Sequence, residues 1–356
     1  MVEIAKLSAE PLDIELTEPF GIAGGAQPRA ANVLVTLELD DGTVGLGEAA
    51  PFPAVNGETQ ADALAALGDA ARLVRGLDAS RWRRVASALR ELSAPSARCA
   101  MECALFDALC RRAGISLWSW FGGAETGLTT DITILTGSSG HARRSAARAA
   151  ARGFSTLKIK VGGVPLADDV ARLGAILEAA PGSSLLLDAN ASLGADEALA
   201  LLDALGDDQK RVVLFEQPTP AGDHAALRRV RQAAGIPVAA DESARSAADV
   251  AELGREHAAD VVNIKITKCG VVEALDMIST ARAMGLGLMV GGMVESQLTM
   301  SVSASLAAGS GGFAFVDLDT LLFMRDAPLS GGAVWRGASI SFDAGTRGHG
   351  VVRQPA

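Results

Sequence analysis

Two lysines stand two positions apart in a short apolar run of the sequence. Lys158 and Lys160 lie in Leu-Lys-Ile-Lys-Val at 157–161, and side chains at positions i and i+2 of a β-strand point to the same face. Neighbouring ammonium groups repel each other, and burying them is costly unless negative charge lies nearby. Alone, this pattern is typical of an edge strand with two solvated lysines. Acidic residues elsewhere in the chain favour a functional interpretation.

Further charged residues end successive apolar runs at a regular spacing. Asp188, Glu216, Asp241 and Lys265 follow Lys160 at intervals of 28, 28, 25 and 24 residues. Each interval accommodates one strand and one helix, so we expect the five side chains at the same end of a parallel sheet. Three carboxylates gathered there would repel one another without a cation. Because oxygen ligands alone suit a hard divalent ion, Asp188, Glu216 and Asp241 predict a Mg²⁺ site.

The elements that must position these residues follow from the pattern after about residue 129, where apolar runs alternate with alanine-rich helical stretches. The runs are 129–135, 155–161, 184–189, 212–216, 237–240, 261–266, 287–291 and 313–317. Eight runs predict an α/β fold, a TIM-type (β/α)7β barrel, which carries its chemistry at the C-terminal ends of the strands. An open doubly wound sheet is the competing fold, but no glycine-rich phosphate turn follows the first run.

A smaller α+β unit precedes the barrel pattern. Strand patterns cover 11–17, 32–39 and 43–49, and helical patterns cover 59–75, 80–92 and 96–113. A hairpin turn is predicted at 40–42, and the glycine-rich segment 21–28 is predicted to be a mobile loop. We therefore expect a capping domain over 1–125, the barrel over 126–324, and a C-terminal segment over 325–356 that returns to the cap.

The second and sixth strands of an eight-stranded barrel lie on opposite sides. Lys160 and Lys265 would then face a substrate from two sides, as a 1,1-proton transfer requires: one amine removes a proton and the other returns one. Lys158 and Mg²⁺ would hold the substrate carboxylate and stabilise an enediolate. A lysine with its ordinary pKa is protonated at neutral pH, so we expect burial and neighbouring cations to lower the pKa of the base to roughly 7–8.

Two more acidic positions follow late runs. Asp317 and Asp319 share one strand face after the eighth run; they are either a turn pair or a seat for a cationic group such as a substrate ammonium. Glu295, after the seventh run, is expected to support the site from behind. The four histidines, His141, His224, His257 and His349, fall in predicted helices or the tail, which disfavours a sugar-acid dehydratase that uses a strand-end histidine.

Composition limits the partners. The chain of 356 residues has a net charge of −10 and no long basic run, so nucleic acid and anionic membranes are not expected as partners. The first residues show no basic segment followed by an apolar one, so no secretory signal is predicted. The four cysteines lack metal-ligand spacing and are predicted to pack in a reduced, cytoplasmic protein. A homo-oligomer is compatible with the sequence.

These motifs together resemble the enolase superfamily, and within its muconate-lactonizing subgroup the dipeptide epimerases. The resemblance spans nearly the whole chain. Its matching segments are LKIKVGG at 157–163, LDAN at 187–190, FEQP at 215–218, ADES at 240–243, NIKITKCG at 263–270, GGMVES at 291–296 and DLD at 317–319. Sites of this superfamily combine a lysine or histidine base with Mg²⁺.

The resemblance implies an isomerase: a Mg²⁺-dependent dipeptide epimerase that transfers a proton at the α-carbon of the C-terminal residue through an enediolate. It implies these roles: Lys160 and Lys265 as the paired bases, Lys158 as the carboxylate-binding residue, Asp188, Glu216 and Asp241 as Mg²⁺ ligands, Asp317 and Asp319 as the ammonium seat, and Thr133 as a substrate contact. The two aspartates favour a dipeptide, because the substrates of related enzymes have no free ammonium.

One segment departs from the resemblance. Family members that act on Ala-Glu typically carry an arginine in the early loop, where this chain has Gly24 and Gly25; Arg29 lies further on. An unpaired buried carboxylate would be costly, so we expect the second residue of the dipeptide to be apolar or cationic rather than Glu.

The alternatives within the superfamily are an N-acylamino acid racemase, an o-succinylbenzoate synthase and a cycloisomerase. An alternative of a different class is a non-catalytic barrel that binds a metal and a small acid. The opposed lysines around three acids argue against it, because a scaffold gains nothing from that arrangement.

Overall fold

The computed structural model describes residues 2–22, 25–343 and 345–354. The strands and helices are, in chain order, β1 (Ile4–Ile22), β2 (Gly25–Leu39), β3 (Val44–Ala49), α1 (Pro53–Asn56), α2 (Gln60–Val74), α3 (Trp82–Ala88), α4 (Pro95–Ala113), α5 (Leu117–Trp120), β4 (Gly127–Thr129), β5 (Ile132–Ile134), α6 (Ser139–Ala151), β6 (Thr156–Lys160), α7 (Leu166–Ala179), β7 (Ser184–Asp188), α8 (Ala195–Ala204), β8 (Val212–Glu216), α9 (His224–Ala233), β9 (Val238–Ala240), α10 (Ala247–Arg255), β10 (Val261–Ile264), α11 (Ile266–Cys269), α12 (Val271–Met284), β11 (Gly287–Val290), α13 (Gln297–Ser310), β12 (Phe313–Val316), β13 (Leu329–Gly331), β14 (Val334–Arg336), β15 (Ser339–Ser341) and β16 (Val351–Arg353). Two 3-10 helices cover Gly206–Arg211 and Thr320–Phe323.

The N-terminal elements form an antiparallel sheet, β1-β2-β3, whose apolar face packs on α2 and α4. The predicted turn joins β2 and β3, where Leu39 N donates to Thr43 O at 2.9 Å and Gly42 takes a φ of 83°. Strand β3 approaches α4 so closely that a Cβ at Gly47 would lie 1.9 Å from the backbone oxygen of Ala100. This close packing joins the small sheet to the helices that follow it.

The prediction of a loop over 21–28 is wrong for most of that segment. Strand β1 continues to Ile22 and β2 begins at Gly25, and the ladder pairs Phe20 with Gln27 and Gly21 with Ala26. Residues 23–24 lie outside the described part of the chain. The segment has no alternation of apolar and polar residues, so its own sequence gives no indication of a strand. The strand forms because the two segments pair with each other through their main chains.

The second sheet is the predicted barrel. Eight parallel strands lie in the order β5-β6-β7-β8-β9-β10-β11-β12, and Asp131 N, just before β5, donates to Val316 O of β12 at 2.9 Å. All eight predicted runs contain one of these strands, so the (β/α)7β prediction is confirmed. Helices α6 to α13 connect the strands on the outside, as right-handed parallel crossovers require.

The alternation within β6 explains how the barrel positions its polar residues. Leu157 and Ile159 are fully buried in the apolar layer between strands and outer helices, so Lys158 and Lys160 point to the interior. The neighbouring helix α6 begins at Ser139 and is capped by Ser138, whose side chain accepts a hydrogen bond from His141 N, a common N-terminal cap. The alternation of side chains along β6 therefore points the two lysines into the barrel, and the outer helices pack against the opposite face of the strand.

The C-terminal segment forms two small sheets, β13-β16 and β14-β15-β4. Its tail contacts the N-terminal helices: Leu117 N donates to Gly348 O at 2.7 Å and His349 N donates to the Asp107 carboxylate at 3.0 Å. Arg111 donates to Val351 O at 2.9 Å. These contacts agree with a tail that returns to the cap; the domain boundaries themselves stay a prediction.

None of the helices in the described residues combines the length and the apolar character needed to cross a membrane.

Candidate active site

The nine predicted site residues lie at one end of the barrel. Lys158 and Lys160 are in β6, Asp188 and Glu216 end β7 and β8, Asp241 follows β9, and Lys265 follows β10. Thr133 is the middle residue of β5, and Asp317 and Asp319 follow β12. All nine are buried, so the sequence pattern that placed them together at strand ends holds in three dimensions.

Lys158 lies at the centre of these groups and is 1% exposed. Its Nζ is 2.6 Å from Asp317 Oδ2, 2.8 Å from Glu216 Oε2 and 3.0 Å from Asp188 Oδ2. Three carboxylates thus surround one ammonium, which compensates the cost of burying it. The contacts link the predicted metal ligands to the aspartates after β12.

Lys160 and Lys265 lie on opposite sides of the barrel. Their strands, β6 and β10, are separated by three strands in either direction around the sheet. Lys160 Nζ donates to Asp188 Oδ2 at 2.6 Å, and Lys265 Nζ donates to Asp241 Oδ2 at 2.7 Å. Each amine therefore reaches the space between the strands from its own side.

The pKa of Lys265 depends on burial and on the surrounding carboxylates. Burial lowers this pKa, but the carboxylates of Asp241, Glu216 and Asp188 together raise it above its ordinary value. The same competition between burial and carboxylates raises the pKa of Lys158. In the protein without a metal ion, the acids outweigh burial and the neighbouring lysine. The expected lowering of the pKa of the base stays a prediction for the protein with Mg²⁺ bound.

The three predicted metal ligands differ in their electrostatics. Burial raises the pKa of Asp188 and Asp241, but nearby lysines reverse this effect and hold both values below the ordinary range. Glu216 keeps a raised pKa of about 7, because burial and the charge of Asp188 exceed the attraction of Lys158. Glu216 is thus the ligand whose ionisation gains most from added positive charge.

The donor set fits Mg²⁺. Asp188, Glu216 and Asp241 supply only carboxylate oxygens, and each residue is at most 2% exposed. Apart from the Lys158 ammonium at 2.8 Å, Glu216 Oε2 has no partner in the described structure. They are not among the described trios whose ligand atoms lie within 4.8 Å of one another, since lysine ammonium groups lie between them. Buried carboxylates need positive charge nearby, and a site that offers only oxygen ligands suits a hard divalent ion.

A second carboxylate cluster lies beside Lys158, and sequence reasoning found only part of it. Asp131, Asp317 and Asp319 place ligand atoms within 4.8 Å of one another. Asp319 Oδ2 accepts from Thr133 N at 2.5 Å, and burial together with Asp317 raises the pKa of Asp319 to about 7. Asp131 was not predicted because it precedes a strand, whereas the spacing pattern identifies only residues at the C-terminal ends of strands.

Two residues not predicted from the sequence hold the predicted metal ligands in place. Lys268 Nζ donates to the side chain of Asp241 at 2.5 Å and to its backbone oxygen at 2.6 Å. Asn263 Nδ2 donates to Glu216 Oε1 at 2.7 Å. Asn263 and Lys268 lie within two and three residues of Lys265, and this proximity in the sequence is a signal that could have indicated both.

Glu295 supports the site without reaching its centre. It is fully buried and accepts from Thr267 Oγ1 at 2.5 Å and Met293 N at 3.1 Å. Burial raises the pKa of Glu295 to about 7. These contacts connect α11 to the loop after β11.

The early hairpin places no described arginine in the site. Arg29 is exposed on β2 opposite Glu15, and Gly25 begins β2. Gly24 lies outside the described residues.

None of the four histidines, all of which the structure describes, stands at the C-terminal end of a barrel strand. His141 and His224 lie in α6 and α9, and His349 lies in the tail. His257 was expected in a helix but follows α10 with a φ of 52°.

Comparison with known proteins agrees with this geometry. Residues 141–353 match the model of the enolase C-terminal domain-like family. Residues 8–122 match the N-terminal domain of mandelate racemase / muconate lactonizing enzyme. The chain belongs to the enolase superfamily.

Relatives of this enolase-superfamily member include an aromatic dipeptide epimerase of Herpetosiphon aurantiacus, 50% identical over 98% of each chain. A crystal structure of a mandelate racemase/muconate lactonizing protein from the same organism superposes with a TM-score of 0.96, at 49% identity and 99% coverage of both chains. A dipeptide epimerase of Enterococcus faecalis, solved with Mg and the dipeptide L-Leu-L-Tyr, has a TM-score of 0.94 and 31% identity, covering 99% of this chain and all of that one.

Proposed function

We propose that this protein is a Mg²⁺-dependent dipeptide epimerase that inverts the α-carbon of the C-terminal residue. The observation that carries the proposal is the position of Lys160 and Lys265 on opposite strands of the barrel, each contacting a carboxylate of the central acidic group. Inversion of a stereocentre needs proton transfer on two faces, and two amines so placed supply it.

The cofactor follows from the acids. Asp188, Glu216 and Asp241 would hold Mg²⁺, whose charge would stabilise an enediolate and offset the carboxylates that raise the pKa of Lys265. Lys158, already within 3.0 Å of Asp188 and 2.8 Å of Glu216, would add positive charge at the substrate carboxylate.

The proton transfers balance without any further reactant. One lysine, in its neutral form, takes the α-proton, and the electron pair of the broken C–H bond moves into the carboxylate to form the enediolate. The opposite lysine, as an ammonium, then donates a proton to the other face of the same carbon. Lys160 and Lys265 exchange these roles when the reaction runs in the reverse direction.

The class of substrate is supported by the second acidic cluster. Asp317 and Asp319 are buried, and Thr133 N holds Asp319 in position. A free substrate ammonium would compensate these carboxylates, which an N-acyl group could not do.

An apolar second residue is supported by the hairpin and by the relatives. Arg29 is exposed, so no described arginine of the hairpin stands ready for a glutamate side chain. A relative named for aromatic dipeptides and a structure with L-Leu-L-Tyr agree with this preference.

The test is deuterium exchange in D₂O with a panel of L,L-dipeptides that share an N-terminal Ala and differ in the second residue. With Mg²⁺, we expect a +1 mass shift at the α-carbon of L-Ala-L-Phe, little exchange with L-Ala-L-Glu, and loss of exchange after EDTA. Exchange with N-succinyl-L-Phe but with no dipeptide would support the N-acylamino acid racemase instead. If calorimetry detected neither Mg²⁺ nor dipeptide binding, the epimerase proposal would fail.

A further inference from the structure

Asp131 is a buried acid without a role in the reaction described above. It is 3% exposed, and neither of its side-chain oxygens accepts a hydrogen bond from any described residue. Its backbone N–H joins β5 to β12 by donating to Val316 O at 2.9 Å. The backbone contact accounts for the position of the residue but not for a buried carboxyl group, which is costly to leave without a partner.

The surroundings of Asp131 are acidic. Asp131, Asp317 and Asp319 offer oxygens within 4.8 Å of one another. Lys158 contacts only one of the three, through Asp317 Oδ2 at 2.6 Å. Burial and the two neighbouring aspartates raise the pKa of Asp131, as expected for a carboxyl group that lacks a cation.

The free oxygens of this cluster match one ligand chemistry. Three of them make no hydrogen bond in the described structure: both side-chain oxygens of Asp131 and Oδ1 of Asp319. A primary ammonium carries three N–H donors and one positive charge. The cluster therefore offers an ammonium one acceptor for each donor, together with the negative charge that compensates it.

We propose that Asp131 is a third substrate-binding carboxylate, which with Asp317 and Asp319 selects a substrate with a free primary amine. The inference rests on the proposed dipeptide epimerase and assigns to this residue much of the discrimination against N-acylated substrates. An acyl group in place of the alanyl residue brings neither the positive charge nor an N–H donor to this cluster, so it would leave all three oxygens unpaired.

The test compares two ligands that differ in one amino group, L-Ala-L-Phe and propionyl-L-Phe. Binding to the Mg²⁺-loaded protein is measured by calorimetry, and exchange at the α-carbon is measured in D₂O. We expect the Asp131→Asn variant to lower the preference for the amine by about tenfold or more, the usual range for a lost hydrogen bond to a charged group. Binding of propionyl-L-Phe should be unchanged or tighter.

Asp260→Asn is the matched control, because Asp260 precedes β10 as Asp131 precedes β5, and it contacts Arg231 rather than the site. This variant should keep the wild-type preference. Thermal unfolding verifies that Asp131→Asn is folded, and Asp131→Ser, with a smaller side chain, is the second variant if it is not.

The outcomes separate the two proposals. An unchanged preference in folded Asp131→Asn or Asp131→Ser overturns the role of Asp131, even if the wild type epimerises dipeptides. A wild type that binds the amine through Asp131 but exchanges no α-proton overturns the epimerase and leaves the amine site. A second Mg²⁺ per wild-type chain that disappears in Asp131→Asn would assign the cluster to a metal and overturn the inference.

Discussion

At the scale of single residues, the proposed mechanism assigns one face of the substrate carbon to each of the two opposed lysines. Replacing Lys160 or Lys265 by Ala should lower epimerisation at least about 100-fold, the usual contribution of a positioned acid or base. Each variant should still exchange the proton of one enantiomer, because the other lysine remains. Exchange of L,L and L,D substrates in D₂O, followed by NMR, measures this, and Lys210→Ala, an exposed lysine, is the control. Full turnover in both variants would contradict the two-base mechanism.

The ammonium seat predicts a separable effect on affinity. Asp317→Asn should raise KM for L-Ala-L-Phe by about tenfold or more and change kcat less, because in the proposed complex Asp317 would contact the substrate ammonium, which is remote from the reacting carbon. Steady-state kinetics with a polarimetric or coupled assay gives both parameters. A variant with wild-type KM would argue for the racemase, synthase or cycloisomerase alternatives.

The sequence predicted the site residues that lie at the C-terminal ends of barrel strands. Lys160, Asp188 and Glu216 each end an apolar run, so their common location followed from spacing. Asp131 and Lys268 were not predicted, because their contacts depend on how β5 meets β12 and on how Lys268 in α11 reaches Asp241 after β9. Such contacts arise from tertiary packing and leave no periodic pattern.

At the scale of elements, the contact of β3 with α4 depends on glycine. Gly47→Ala would place a Cβ 1.9 Å from Ala100 O, so the strand must move, and we expect a loss of about 1–3 kcal/mol or more in the free energy of unfolding. Gly68→Ala on the exposed face of α2 meets no atom within 4 Å and should stabilise by about 0.5–1 kcal/mol. Urea denaturation measures both, and equal effects of the two changes would contradict the packing argument.

The sequence predicted the barrel strands but not the pairing of β1 and β2 within residues 21–28. The barrel strands are buried on both faces, so they appear as continuous apolar runs. The hairpin of β1 and β2 is mostly exposed at 25–29, and its ladder is formed by main-chain bonds between segments without alternation. For that reason the segment looked like a loop.

At the scale of the whole molecule, the tail is joined to the N-terminal helices through a buried histidine. His349 Nδ1 accepts from Val351 N at 3.0 Å, and Nε2 contacts Leu46 O at 3.0 Å. Burial lowers the pKa of His349 below its ordinary 6.5, although Asp107 opposes this shift. His349 therefore binds a proton more readily in the unfolded chain than in the folded protein.

Stability from His349 should be present above pH 6.5 and lost as pH falls below it, by at most about 1.4 kcal/mol per pH unit. His349→Asn can keep the acceptor for Val351 N but does not titrate. Thermal unfolding between pH 7.5 and 5 should therefore fall more steeply in the wild type than in this variant. If the unfolding temperature fell equally steeply with pH in the wild type and in His349→Asn, protonation of His349 would have no role in stability.

The aromatic rings of Phe20 in β1 and Phe323, which follows Asp319 by four residues, pack edge to face with centroids 5.8 Å apart and planes at 80°. This contact joins the hairpin to the 3-10 helix Thr320–Phe323, which follows the last barrel strand. Consider a chimaera that takes this hairpin from a relative with a different dipeptide specificity. Its ring at position 20 would no longer match the ring at position 323 unless both positions are exchanged together. Substrate range in such enzymes should consequently diverge by paired changes in segments about three hundred residues apart in the chain.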